Sequence, residues 1–127
     1  MTQITVMDKY PVNELTISKE KINYKNVDEI LDYLKEKIDA HPVATFISIF
    51  DHYTHTKGLE VGEINEDILD AKNIIFCFGK QIPNAAIMAV RPRSMAVVEY
   101  KDNFVITFMD APNTQAHEAM ISWVENI

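Results

Sequence analysis

A single cysteine, Cys77, stands among 127 residues, so the chain has no partner for an internal disulfide. That absence excludes a disulfide scaffold and predicts a reducing compartment. Glycine and proline are sparse, at three and five residues, and no Gly-, Ser- or Pro-rich linker, repeat or low-complexity tract divides the chain. No apolar run approaches the length of a membrane span. The first residues, Met1 to Val6, have neither a basic start nor a long apolar core, which predicts no secretory signal and a cytoplasmic protein. Basic residues are also few: 12 Lys and Arg against 19 Asp and Glu, a net charge of −7. Nucleic-acid binding needs a concentrated basic surface. Here only Arg91-Pro92-Arg93 is locally basic without nearby acids, which argues against a nucleic-acid partner.

What is present is an ordinary globular composition, 47% hydrophobic and 24% charged, sufficient for one domain with a sizeable core. Residues 1–11 read as a loose end, and Val12, Leu15, Ile17, Ile22 and Tyr24 suggest a strand broken near 19–21. Asn26, with Glu29 three residues on, has the form of a capping box. Behind it Val27, Ile30, Leu31, Leu34 and Ile38 fall on one helical stripe, and Pro42 bars its continuation. Strands are expected over 43–50, 73–78, 94–100 and 104–109, the last two joined by Asp102-Asn103 as a two-residue turn. The polar stretch 51–71 suggests a short helix near 63–69, and 84–90 suggests another. A final helix opens at 112–114 and carries the stripe Ala116, Met120, Trp123, Val124 and Ile127.

This order predicts an α+β domain of β-α-β4-α type over 26–127, preceded by an N-terminal extension, 1–25, that contributes a strand. Both main helices are expected on one face of an antiparallel sheet. The strands, however, are apolar on both faces. Ile74, Phe76 and Phe78 oppose Ile75 and Cys77, and Phe104, Ile106 and Phe108 oppose Val105, Thr107 and Met109. Antiparallel sheets in small proteins usually leave one face wet and alternate cleanly. The second face therefore calls for a cover: the N-terminal segment, a partner subunit or a ligand.

Particular residues also resemble a known family. Asp51-His52 followed by Gly58-Leu59, the strand 74–78 ending at Gly79, Ile87-Met88 followed by Pro92, and Asp110-Ala111-Pro112 resemble motifs of the domain of unknown function 302 family, small bacterial proteins. The resemblance covers about 26–113 and implies a β-α-β4-α fold of the TATA-binding-protein-like class. It departs at Lys80-Gln81-Ile82-Pro83, where that family has Asn-Pro, and at the longer N-terminal part. It implies no activity.

Several side chains are candidates for chemistry. If the chain turns helical after Phe50, His52 and His55 share a face and could share a metal; if it stays extended they diverge. Asp51 beside His52 has the types of an acid–base pair, although an Asp at a strand end commonly caps a turn. Cys77 between two phenylalanines reads as a buried, inert thiol unless the second face is a cavity. Arg91 and Arg93 could together hold a carboxylate or phosphate, or pair with surface acids. Met88, Met95, Met109 and Met120 read as core.

Three readings follow. The first is a non-enzymatic cytosolic homodimer with a site for a small, anionic ligand near Asp51, His52, Cys77, Arg91 and Arg93. The second is a metal- or haem-binding protein using His52 with His55 or Cys77. The third is a small enzyme with Asp51-His52 as acid and base.

Overall fold

A computed structural model describes residues 1–127. The strands are β1 (Thr2–Val6), β2 (Tyr10–Ser18), β3 (Thr45–Phe50), β4 (Asp70–Cys77), β5 (Arg93–Glu99) and β6 (Asn103–Met109). The helices are α1 (Val27–Ala40), α2 (His52–Lys57), α3 (Ala85–Met88) and α4 (Thr114–Glu125). The six strands form one antiparallel sheet in the order β1-β2-β6-β5-β4-β3. The class is α+β. Residues 1–11 are not a loose end: they supply β1 and the start of β2, so the N-terminal part gives two strands where one was expected, and β2 pairs with β6.

The core lies between one sheet face and the two long helices. Val27, Ile30, Leu31, Leu34 and Ile38 of α1 and Met120, Trp123 and Val124 of α4 meet Ile74, Phe76, Met95, Val97, Phe104, Ile106 and Phe108. The alternation read in 73–78 and 104–109 holds, because burial on this side fixes the strand register. Trp123 stacks on Phe78 at 5.7 Å and meets Phe76 edge-on at 5.8 Å. The Tyr33 hydroxyl donates to the Trp123 carbonyl at 2.6 Å, tying α1 to α4. At the start of α1, Asn26 Oδ1 accepts from the Glu29 amide at 2.9 Å. Glu29 Oε1 in turn accepts from the Lys25 amide. Asn26→Ala is expected to lower the unfolding free energy by about 1 kcal/mol, measured by urea denaturation.

Two local expectations are corrected. The short helix falls at His52–Lys57, not at 63–69, because Asp51 caps it and Gly58 closes it. The β5–β6 turn is Lys101-Asp102, with the Tyr100 amide donating to the Asn103 carbonyl, and it uses no positive φ. Positive φ occurs instead at Met7 and Asp8, in the β1–β2 hairpin.

The other face of the sheet is open over most of its width. The pairing sets out its rows: Ile4–Val12–Met109, then Thr2–Glu14–Thr107–Ala96–Asn73–Phe50, then Thr16–Val105–Val98–Ala71. It is less uniformly apolar than the strand patterns suggest, since a largely polar row runs between two apolar ones. The Asn73 amide donates to Ser94 Oγ across this face at 3.0 Å. Residues 52–69 shield one corner, where His52 and His55 meet the ring of Phe50 and where Tyr53, Ile64 and Ile68 approach Ala71. The N-terminal segment widens the sheet rather than covering it.

Candidate functional site

The sequence candidates separate to opposite ends of the sheet. At the end where β4 finishes and β5 begins, a cavity of about 310 Å³ opens between α3 and the start of α4. The local sequence builds it in steps. Asn84 caps the single turn of α3 by accepting from the Ile87 amide. A cis Arg91–Pro92 bond then leads into β5. Across the gap Asn113 caps α4 by accepting from the Ala116 amide at 3.1 Å. Phe78, Ile87 and Val90 supply apolar walls, and Arg91, Arg93 and Asn113 supply polar ones.

Both arginines line this one cavity. Arg93 is fixed by main chain: Nη2 donates to the carbonyls of Met109 at 2.6 Å and Asp110 at 2.9 Å, and Nη1 to that of Val90 at 3.4 Å. Its Nε is buried and meets no acceptor. Burial lowers the Arg93 pKa, and the nearby charge of Asp110 partly opposes that effect. Arg91 donates through Nη1 to the Gln81 carbonyl. Neither guanidinium lies within ion-pair distance of a carboxylate.

At the far end, Asp51 spends its carboxylate on its own helix. Oδ1 accepts from the Thr54 amide at 3.0 Å and Oδ2 from the Thr54 hydroxyl at 2.9 Å. The amide bond, with help from the hydroxyl and Lys72, holds its pKa below the usual carboxylate value. No hydrogen bond joins Asp51 to His52, so the acid–base pair is not assembled. His52 and His55 do lie together on α2, their rings 5.1 and 5.5 Å from that of Phe50. No group of three or more His, Cys, Asp or Glu side chains gathers anywhere to hold a metal ion. Cys77 faces the open side opposite Thr45, while Phe50 lies opposite Asn73. Four strand residues, about 13 Å, therefore part Cys77 from the His52 corner. His52 and Cys77 do not converge, and neither reaches the arginine cavity.

Lys72 braces the Asp51 corner from the helix side. Its ammonium donates to Asp28 Oδ1 at 2.7 Å and stands 3.8 Å from Asp51 Oδ2. The bond to Asp28 raises its pKa above the ordinary lysine value of 10.5. A cation whose pKa is higher folded than unfolded stabilises fully below the unfolded value, and the gain is lost as pH rises through the folded one. The stability difference between the wild type and Lys72→Met is thus expected to hold steady at neutral pH and shrink above about pH 10. Its size should stay within about 1 kcal/mol, because Asp28 is largely exposed. Chemical denaturation across alkaline pH measures it.

One cluster escaped the sequence reading. Asn13, the one buried polar residue, is 4% exposed on the helix-covered face of β2. Its amide donates to Asp110 Oδ1 at 2.8 Å, Gln3 Nε2 reaches both Asp110 oxygens, and His117 Nε2 lies 3.8 Å away. The available signal was period two: with Leu15 and Ile17 turned inward, Asn13 must turn inward as well.

No helix is long and apolar enough to cross a membrane. Comparison with curated proteins and with solved structures finds no match. A family model matches the chain over residues 1–127, and it is a different family from the domain of unknown function 302 proteins that the motifs resemble. The residues that carried that resemblance, Asp51, Gly58 and Gly79 among them, stand at element ends, where helix caps and turns select the same types. The chain belongs to the family of unknown function DUF6858.

Proposed function

We propose that this protein is a non-enzymatic cytosolic module that works as a homodimer, two copies meeting through the open face of the sheet. The observation that carries this reading is the pair of uncovered apolar rows, Ile4–Val12–Met109 and Val105–Val98, on a face whose three cross-strand rows hold one charged residue, Glu14. Ile4 and Met109 are 41% and 45% exposed, with nothing in the monomer to dry them. Apolar rows left uncovered on a face nearly free of charge mark an interface, and interface centres are depleted of charge.

Charge also selects the partner. Copies of a −7 chain repel one another over most of their surface. The sheet face is where they can approach with little opposing charge. Six strands at about 4.8 Å spacing and some 20 Å of strand length, less the corner that residues 52–69 shield, give a footprint of about 400 Å² in projection. Side-chain relief brings that toward the roughly 800 Å² per partner of a standard interface. Two such sheets can stack at the usual aligned angle, which a two-fold axis satisfies.

Sedimentation equilibrium at micromolar concentration is expected to give twice the chain mass. Val98→Lys combined with Val105→Lys should return a folded monomer, since a lysine pair at the contact leaves unpaired buried charge. A wild-type protein that remains monomeric to high micromolar concentration would contradict the reading.

A further inference from the structure

We infer that the cavity between α3 and the start of α4 binds a small carboxylic acid with an apolar body. At about 310 Å³ it stands at the lower end of the range for small-molecule pockets, roughly 300–1,000 Å³. Its lining includes two arginines and no acid, in a chain where 19 acids outnumber 12 bases. Neither arginine has a carboxylate in ion-pair contact, and Asp110 acts on Arg93 only from beyond that distance. A half-buried guanidinium without such a contact is costly, and an anion in the cavity would supply it.

The distribution of donors narrows the ligand. Arg93 is committed to three carbonyls, so it contributes fixed positive charge more than free hydrogen bonds. Arg91 uses only Nη1, on the Gln81 carbonyl and beside Met88 Sδ, which leaves its other nitrogens without a protein partner. One open guanidinium edge matches the two oxygens of a planar carboxylate. The α4 N-terminus at Asn113 and Ala116 adds favourable potential for one negative charge. Phe78, Ile87, Val90 and Pro112 give the wall an apolar stretch that suits a hydrocarbon body, beside the polar side chains of Gln81 and Asn113. This site lies on the helix side of the sheet, so it stands or falls independently of the dimer.

The test is an amide-resolved titration of the full chain with three probes: hexanoate, 1-hexanol and inorganic phosphate. Hexanoate is expected to saturate, shifting the amides of Val90, Arg91 and Ala116. The alcohol, which lacks the charge, and phosphate, which lacks the body, should not saturate in the same range. Arg91→Gln should weaken hexanoate at least about tenfold, the usual consequence of losing a charge-assisted pair. Ile87→Glu, which leaves both arginines in place, should abolish binding by setting a like charge in the wall. Spectra of each variant away from the cavity show whether it is folded. Phosphate saturating as tightly as hexanoate, hexanoate shifts scattered over the surface, or undiminished binding by folded Ile87→Glu would each overturn the assignment.

Discussion

Phe76→Ala is expected to lower the unfolding free energy by about 3–5 kcal/mol. Phe76 is fully buried near the end of β4, on the sheet face covered by α1 and α4. It meets Phe78 edge-on at 5.8 Å and Trp123 at 5.8 Å, and Trp123 in turn stacks on Phe78. Removing the ring deletes apolar area and leaves a hole that main chain on both sides holds open. A strand on one side and two helices on the other cannot collapse together without breaking register. Trp123→Ala should cost a similar amount, and the double variant less than the sum, because the two rings share neighbours. Urea denaturation of the four proteins gives the cycle. A loss under about 1 kcal/mol for Phe76→Ala would show that the aromatic cluster is not the centre of the core.

Asp110→Ala is expected to cost about 2 kcal/mol by a different route. Asp110 Oδ1 is the short partner of buried Asn13, whose remaining bond, to the Phe108 carbonyl, is 3.4 Å. Gln3 closes β1 over the same carboxylate, and Arg93 lies near enough for Asp110 to raise its pKa against the effect of burial. Without the carboxylate a buried amide loses its acceptor and an inward-held cation loses its nearest negative charge. Asp110→Asn should retain part of the stability, since one carbonyl oxygen remains to accept from Asn13. Asn13→Leu combined with Asp110→Ala should recover part of the loss, because removing both partners leaves no orphaned donor. An additive double variant in thermal and urea melts would contradict this account of Asn13.

Much of the fold was legible where burial is one-sided. The α1 stripe, the Asn26–Glu29 cap and the alternation in β4 and β6 could be read because a helix buried along one stripe and a strand buried on one face impose their periods on the sequence. The β1–β2 hairpin was hidden: its turn residues are Met7 and Asp8, at φ 54 and 57, where Asn-Gly would have announced it. The stretch 51–71 misled because Ile64 and Ile68 have helical spacing yet serve as loop anchors beside Tyr53 and Ala71. Gly62 marks a close approach there instead of a helix start, since a Cβ on it would stand 2.0 Å from the Thr56 carbonyl oxygen.

The arginine pair stood out because it has no acids near it in sequence, and it has none in ion-pair contact in space. The walls of its cavity could not be read, because Phe78, Ile87 and Ala116 come from separate elements. The pairing of Asp51 with His52 failed for a local reason: a carboxylate one residue before a helix finds the helix amide first. Sequence adjacency proved a poor guide to side-chain contact.

The most direct test of the dimer is a filtered NOE experiment on an equal mixture of isotope-labelled and unlabelled chains. Cross-peaks between copies are expected at the methyls of Val12, Val98, Val105 and Met109. Methyls of the helix-covered face, such as Ile74 and Ile106, should give none. An absence of any transfer between copies at millimolar concentration, with the Val98 and Val105 methyls exchanging magnetisation only with water, would contradict it.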